Sequence, residues 1–488
     1  MHPEPMDRLD TTYTDAVRYL YDRINYEKTS DRPYDQRAYR LARMEYFLQE
    51  LGSPHLAAPV LHVAGTKGKG SVSWFLAEAL RRSGLSVGLY TSPHLVHLEE
   101  RFVINGVPCS PAELAEHVEL LKKAAEATIR TPHGCPTFFE MTTALAWLLF
   151  ATRKSDVNVI EVGLGGRLDS TNVCRSTLAV ITSISFDHQQ QLGNTISLIA
   201  AEKAGIIKKK VPVISGARHP DASSVIRAKC IETNSPLWEL GVDFECTTQP
   251  KKRGPAISID PRSEGASRMD FTPMSARIPA TPIGNLALRM PGKHQADNAA
   301  IAIAAWQRLQ SDGWSLPQNG MVDALANTQL CCRIEVVSTK PMTVIDTSHN
   351  IASIAALISS LNDHFSPAKK TIIFACSKDK DYASILDQIL DYADRLIVTQ
   401  FQNNPRVVPV ERLEEIANAK RIHHPQVEIL SAPSSQIALD HATRSAIDNE
   451  LICVTGSFFL ASETRPMFPN SDNLRTQSIR STHHQNHD

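Results

Sequence analysis

Val60-Leu61-His62-Val63-Ala64-Gly65-Thr66-Lys67-Gly68-Lys69-Gly70-Ser71 restricts the fold of this chain more than any other stretch, because an apolar run breaks there into a glycine-rich turn around a central lysine. It reads as a strand, a phosphate loop and a helix. Glycines at 65, 68 and 70 allow positive φ and bring backbone N–H groups close to an anion, while Lys69 adds a point charge for the β and γ phosphates. Val72, Phe75, Leu76, Ala79 and Leu80 then recur at helical spacing, Gly84 stands where a helix ends, and Ser86 to Thr91 reads as a second strand closing a βαβ unit. The pattern G-x-x-x-x-G-K-[ST] is not met, since Gly70 separates Lys69 from Ser71, so a glycine-rich turn without a ligand stands as the alternative.

Around this unit the chain alternates strands and helices. Two helical patterns precede it (Ala16 and Leu20, then Leu41, Met44, Phe47 and Leu48), with a polar break at Lys28 to Asp35. Asn105-Gly106 between short apolar segments predicts a hairpin. Pro111 to Ile129 reads as a helix, and the uncharged run Met141 to Ala151 as a buried one, too short for the roughly 20 residues that cross a bilayer. Strands are expected at Val157 to Gly163, Leu178 to Ile184 and Val211 to Ser215, a helix opened by Leu192 to Thr195 and running to Ile207, and an alanine-rich helix started by Pro291 to Asn298 and running to about Leu309. Residues 217–290 carry little pattern, and within them the polar, proline-bearing stretch from Thr247 to Ala266 reads as loops and edge strands around a peripheral part of the first domain. Apolar strands at Met342 to Asp346, Thr371 to Ala375, Arg395 to Thr399 and Leu451 to Gly456, separated by helical stretches, predict a second doubly wound α/β domain. The expected limits are 1–330 for the first domain, 335–466 for the second, and 467–488 for a disordered polar tail whose His483, His484 and His487 offer only adventitious metal binding.

Two residues at strand ends carry possible metal chemistry. In a parallel sheet the strand carboxyl ends line the ligand crevice, so Glu161, ahead of glycines 163, 165 and 166, is a candidate Mg²⁺ ligand facing the phosphate loop. The alternative is an acid paired with Arg167 or left solvated. His188, after the strand ending near Ile184, is a second candidate, against the ordinary reading of a hydrogen-bonded structural histidine.

Composition narrows the class further. With 51 basic and 52 acidic side chains the formal net charge is −1, so no global field draws in nucleic acid or an anionic membrane. Nine cysteines, an odd number with no C-x-x-C pair, fit a reduced, cytoplasmic setting, and Met1 to Arg8 lacks the apolar core of a signal peptide.

Gly65-Thr66-Lys67-Gly68-Lys69-Gly70-Ser71, Thr91-Ser92-Pro93-His94-Leu95, Glu161-Val162-Gly163-Leu164-Gly165-Gly166-Arg167-Leu168-Asp169-Ser170-Thr171-Asn172, Asp187-His188, Leu192-Gly193 and Glu202-Lys203-Ala204-Gly205-Ile206 follow one another in an order that resembles the folylpolyglutamate synthase / dihydrofolate synthase family of Mur-ligase-like amide ligases. In the second domain Asp346, His349, Asn350 and Asp379-Lys380-Asp381 continue the likeness, which spans nearly the whole chain. It implies an N-terminal Mur-ligase-like ATPase domain and a smaller C-terminal Rossmann-like domain. By the same likeness Thr66, Lys67, Gly68, Lys69, Gly70 and Ser71 hold the ATP phosphates, Ser92, Glu161 and His188 ligate Mg²⁺, and Asn298, Arg333 and Asp346 reach ATP from the domain junction. Thr137, Phe138, Phe139 and Glu140, with Leu168, Asp169 and Ser170, would lie along the pterin-bearing substrate. Lys69, Lys203, Asp346 and His349 would be the catalytic group, Lys203 as a carbamate; a monovalent cation is a further candidate cofactor. Departures from the family pattern are Cys332 for the glycine before the ATP-contacting arginine, and Thr347, Ser348 and Ile351 for Gly, Ala and Pro.

The chemistry so implied is acyl-phosphate formation from ATP and a substrate carboxylate, then attack by the amine of L-glutamate. The partners expected are therefore small molecules (a folate or dihydropteroate, L-glutamate and ATP), with no nucleic acid or membrane, and the protein is expected to be a monomer. A Mur-type ligase acting on a cell-wall precursor would need a nucleotide-sugar domain of about 100 residues ahead of the loop, judged by ordinary domain size, and only 64 residues precede Gly65. An inactive nucleotide-binding paralogue is opposed by the joint presence of Lys69, Glu161, His188, Lys203 and Asp346. No single residue separates an enzyme that extends folates from one that also accepts dihydropteroate.

Overall fold

The computed structural model describes residues 6–25, 41–250, 267–402 and 404–468. The polar break at Lys28 to Asp35, most of the Thr247 to Ala266 stretch, and the tail beyond 468 lie outside them. The chain divides into two compact units, one built from residues up to Thr248 with Arg268–Leu288 and His294–Thr328, the other chiefly from Gln329 onward.

The first unit contains helices α1 (Met6–Tyr21), α2 (Leu41–Glu50), α3 (Lys69–Arg82), α4 (Pro111–Ile129), α5 (Phe138–Thr152), α6 (Gln189–Leu192), α7 (Ile196–Ala204), α8 (Pro220–Thr233), α9 (Lys293–Ser311) and α10 (Gln318–Asn327). Its main sheet uses β1 (Val60–Ala64), β2 (Val87–Tyr90), β3 (Phe102–Ile104), β4 (Val107–Pro108), β5 (Val157–Glu161), β6 (Ser176–Ile181), β7 (Val213–Ser215) and β8 (Leu237–Glu239), in the order β4-β3-β2-β5-β1-β6-β7-β8. β2 to β8 across that order are parallel, and β3 and β4 add the expected antiparallel hairpin, whose Asn105 and Gly106 have φ of 53° and 83°. β1 is central, with β5 on one side and β6 on the other, so the loop leaving its carboxyl end opens at the point where the chain's strand order reverses.

Burial explains the sequence pattern. β1 and β5 are covered on both faces and carry no polar alternation. α5 is apolar on all sides because it is interior: Met141, Ala144, Leu145 and Phe150 are fully inaccessible, in one cluster with Phe47, Tyr90, Phe102 and Ile160. Met141, Leu145 and Phe150 each contribute about 1.5–3 kcal/mol on leaving water. A second cluster joins α7 and α8 to Ala179, Ile181 and Val213. β9 (Phe244–Pro250), β10 (Ser267–Pro273) and β11 (Ile283–Leu288) form a separate three-stranded sheet.

The second unit orders β12 (Glu335–Thr339), β13 (Met342–Ile345), β14 (Lys369–Phe374), β15 (Arg395–Val398), β16 (Glu428–Ser431) and β17 (Glu450–Thr455) as β12-β13-β17-β14-β15-β16. β12 alone is antiparallel to its neighbour. Helices α11 (Ile351–His364), α12 (Tyr382–Tyr392), α13 (Val410–Lys420), α14 (Ser435–Arg444) and α15 (Phe458–Thr464) alternate with these strands, and the core includes Val344, Leu361, Ile385, Leu396 and Cys453. The α/β class with two wound domains is thus as expected. No described helix is long and apolar enough to cross a membrane.

Candidate functional site

β1 delivers the phosphate loop, and two of its glycines are required by shape. Gly65 has φ of 151° and a Cβ there would lie 1.8 Å from Thr182 Oγ1; Gly68 has φ of 86° and its Cβ would meet Asn298 Oδ1 at 2.2 Å. Asn298, on α9, therefore stands directly against the loop. Thr66 is stitched to the segment that follows β6: its N–H donates to the Ser183 carbonyl at 2.7 Å, and its hydroxyl exchanges hydrogen bonds with the backbone of Ser185 at 3.2 Å. α3 begins at Lys69, with Gly68 at its N-cap, so the helix presents its first N–H groups at the loop.

Thr66, Lys69, His188 and Lys203 line one pocket with Gly65, Gly163 and Leu164. Lys203 is buried and donates to the Gly65 carbonyl at 2.8 Å. Burial, reinforced by the charge of Lys69, lowers its pKa from 10.5 to about 7, while Asp187 acts in the opposite direction. An amine in that range is substantially neutral at physiological pH, the form that reacts as a nucleophile. Ser71 is buried at the start of α3.

Glu161 ends β5 and is 4% exposed. Its Oε2 accepts the Ser92 N–H at 3.2 Å and would lie 3.6 Å from a Cβ on Gly70, so Ser92, Glu161 and the loop converge. Arg167, the alternative partner considered for Glu161, pairs with Glu202 at 2.8 Å. Lys67 turns its ammonium to Asp187, 2.8 Å from Oδ2, and Asp187 Oδ1 accepts the His188 N–H at 3.0 Å.

The residues expected along a pterin have defined local work. Thr137 caps α5 and forms a capping box with Glu140, whose carboxylate also takes Arg43 Nε at 2.9 Å. Phe138 is fully buried and stacks on Tyr21 at 5.1 Å, whereas Phe139 presses on Gly163, whose Cβ would meet its Cζ at 2.4 Å. Leu168 and Ser170 are buried beside Asp169, whose carboxylate accepts the Leu164 N–H at 2.9 Å and the Thr171 hydroxyl at 2.5 Å. Burial raises the Asp169 pKa against those hydrogen bonds. Arg43 was not singled out from sequence, although a basic residue inside the apolar stripe Met44, Phe47 and Leu48 is a signal for a buried carboxylate partner.

In the second unit Asp346 follows β13 and accepts the N–H groups of Ile334 at 3.0 Å and Ser348 at 2.8 Å, which fixes the segment carrying Arg333 to the turn before α11. Arg333 lies over the Phe458 ring at 5.5 Å. Cys332 and Ile334 have φ of 55° and 50°, so the backbone path that suits a glycine is kept here by a cysteine. His349 Nδ1 donates to the Thr347 carbonyl at 2.8 Å, and Asn350 caps α11, which starts at Ile351 without a proline.

Residues 63–306 match the Mur ligase middle domain and residues 332–458 the Mur ligase glutamate ligase domain. The folylpolyglutamate synthase of Lacticaseibacillus casei is 33% identical over 93% of this chain and 98% of its own length. The dihydrofolate synthase/folylpolyglutamate synthase of Bacillus subtilis is 30% identical over 93% and 99%. The solved structure of Mycobacterium tuberculosis folylpolyglutamate synthase complexed with ADP superposes with a TM-score of 0.82 at 28% identity, over 94% of this chain and 99% of that one.

Proposed function

This chain belongs to the Mur ligase family, in its folylpolyglutamate synthase / dihydrofolate synthase branch, and from that premise we propose that it uses ATP to join L-glutamate to a carboxylate of a folate, with dihydropteroate as a second acceptor. The observation that carries the reading is the gathering of Thr66 and Lys69 of the glycine-shaped loop with Lys203 of α7 in one pocket, and of Glu161 beside Gly70. We assign the ATP-handling domain to residues 1–330 and the ligase domain to 335–466. The enzyme is taken to be a cytoplasmic monomer.

In the first half-reaction a substrate carboxylate oxygen attacks the γ-phosphorus, the bond to the β–γ bridging oxygen breaks, and ADP departs from an acyl phosphate. Lys69, the loop amides and the α3 N-terminus stabilise charge on the transferring group. In the second, the glutamate amine attacks the acyl carbon, an N–H proton passes to a base, and phosphate leaves as the C–O bond breaks. His349, held by its Nδ1 bond to Thr347, is assigned to that proton, and Arg333, Asn298 and Asp346 to nucleotide binding.

A buried carboxylate at Glu161 facing a phosphate loop would repel its ligand unless a cation stood between them, and hydroxyl, carboxylate and imidazole are suitable donors. Ser92, Glu161 and His188 would hold Mg²⁺, which when bound neutralises phosphoryl oxygen charge. Lys203 is assigned a carbamate: the neutral amine adds to carbon dioxide, an N–C bond forms, and one proton goes to solvent. Phe139, Asp169 and their neighbours are assigned to the pterin-bearing substrate.

Purified protein with ATP, Mg²⁺ and glutamate should release ADP when offered tetrahydrofolate, and also when offered dihydropteroate. Turnover of dihydropteroate alone would remove the polyglutamylation assignment, and turnover of neither would mark a non-catalytic paralogue.

A further inference from the structure

We propose that Lys67 is a positioning residue that acts through Asp187 on His188, so that the phosphate loop itself sets where the metal-binding imidazole stands. This rests on the Mg²⁺ site assigned above. The main chain of Lys67 is already tied to the segment that follows β6: its carbonyl accepts from Thr182 Oγ1 at 2.7 Å and Ser183 Oγ at 3.1 Å, and it bridges Ser183 in antiparallel fashion. From that fixed origin its ammonium reaches Asp187 Oδ2 at 2.8 Å, in a pair whose side chains are 29% and 10% exposed. The other carboxylate oxygen of Asp187 accepts the His188 N–H at 3.0 Å.

His188 occupies the left-handed region, with φ of 49°. A residue with a Cβ holds that conformation only where its surroundings impose it. One carboxylate thus links the two halves: the loop lysine grips it from one side, and from the other it accepts the backbone N–H of His188, which lines the pocket. Lys69 lines that pocket, whereas the Lys67 ammonium pairs with Asp187. Two lysines two residues apart in one loop therefore divide the labour, one acting on phosphate and one on the geometry of the metal site.

The competing role for Lys67, direct contact with a phosphate, makes a different prediction for metal affinity. Mn²⁺ binding, read from the electron paramagnetic resonance of the free ion with a non-hydrolysable ATP analogue saturating each variant, separates the two. Lys67→Met should weaken Mn²⁺ binding about tenfold, the size expected when a partner behind a metal ligand is removed. Asp187→Asn should weaken it in the same direction, and the double variant should be no weaker than the weaker-binding single variant, because both break one link. Lys67→Arg should restore most of the affinity. Asp187→Asn tests the link from its other end should Lys67→Met fold poorly. If Lys67→Met binds Mn²⁺ like the parent while Glu161→Gln binds it weakly, the metal site stands and the positioning role is overturned. If Glu161→Gln also binds like the parent, the metal-site assignment falls and the positioning role falls with it.

Discussion

Lys69 and Lys203 share a pocket, yet their surroundings prepare them for opposite tasks. Lys69 opens α3 and lines the space where loop amides converge, so its charge is available to a transferring phosphoryl group. Lys69→Ala should lower kcat by about 10²–10³, the usual loss when one preorganised charge-stabilising group is removed; glutamate-dependent ADP release near the parental rate would disprove the phosphate assignment. Lys203 is desolvated, and its amine is held down to about 7. Below that pH the folded and unfolded chains both carry the proton, and the cost of a buried ammonium is fully present. Between about 7 and 10 the unfolded chain binds more protons, so stability rises with pH across that window. In carbon dioxide-free buffer at pH 7, Lys203→Met should therefore be more stable than the parent by about 2 kcal/mol, a relief of desolvation partly offset by the lost bond to Gly65. Urea unfolding at pH 7 and pH 10 should show that advantage shrinking as the unfolded chain's amine gives up its proton and the two states come to bind nearly the same number. Ligation should be lost at both. Added bicarbonate should raise the activity of the parent and leave Lys203→Met unchanged.

Among the elements, α5 shows most directly how a site residue can also hold the fold. Its N-cap Thr137 and third residue Glu140 satisfy each other, and Glu140 additionally neutralises Arg43 from α2, both side chains being nearly inaccessible. Glu140→Gln should cost about 3 kcal/mol of stability, the range seen when one partner of a buried pair is removed, and Thr137→Ala about 1 kcal/mol through the lost cap. Denaturation midpoints equal to the parent, with only the KM for the pterin-bearing substrate changed, would confine Glu140 to substrate binding. Elements with strong local signals were legible: the strand-loop-helix at Val60, the Asn105-Gly106 hairpin, and α7 behind its Thr195 cap. α8 was not, because its buried face is only Ala222, Ser223, Ile226 and Cys230, too narrow and polar a stripe to stand out; its signals were Pro220 at the first turn and left-handed Asn234 at the end. β12 and β16 escaped for a related reason, since both are edge strands left partly exposed and need few apolar residues. β7 begins at Val213 rather than Val211 because Pro212 has no N–H to give a ladder. In the site, single residues such as Lys69 and Glu161 stood out by type and spacing, whereas the Lys67–Asp187 and Arg43–Glu140 pairs join positions 120 and 97 residues apart, which no local pattern reveals.

At the scale of the whole molecule, two units with separate sheets and separate cores should unfold in two parts, and a ligand stabilises whichever folded part it binds. Every loop group assigned to phosphate belongs to the first unit. Arg333, placed against Phe458, and Asp346, which pins the Ile334 segment, belong to the second. A non-hydrolysable ATP analogue at 100 times its Kd adds about 2.7 kcal/mol to the part that binds it. Calorimetry of the full chain should show two transitions, the first moving up by a few degrees with the analogue. If Arg333 reaches the nucleotide as assigned, the second transition should move as well, by less, and the shift of the second alone should vanish in Arg333→Ala. In Lys69→Ala, at the parental analogue concentration, both shifts should shrink together because the affinity itself falls. A second transition that stays in place in the parent while the first moves would remove Arg333 and Asp346 from the nucleotide site, leaving Asp346 with the task its hydrogen bonds already define, holding the 332–334 backbone in its left-handed path.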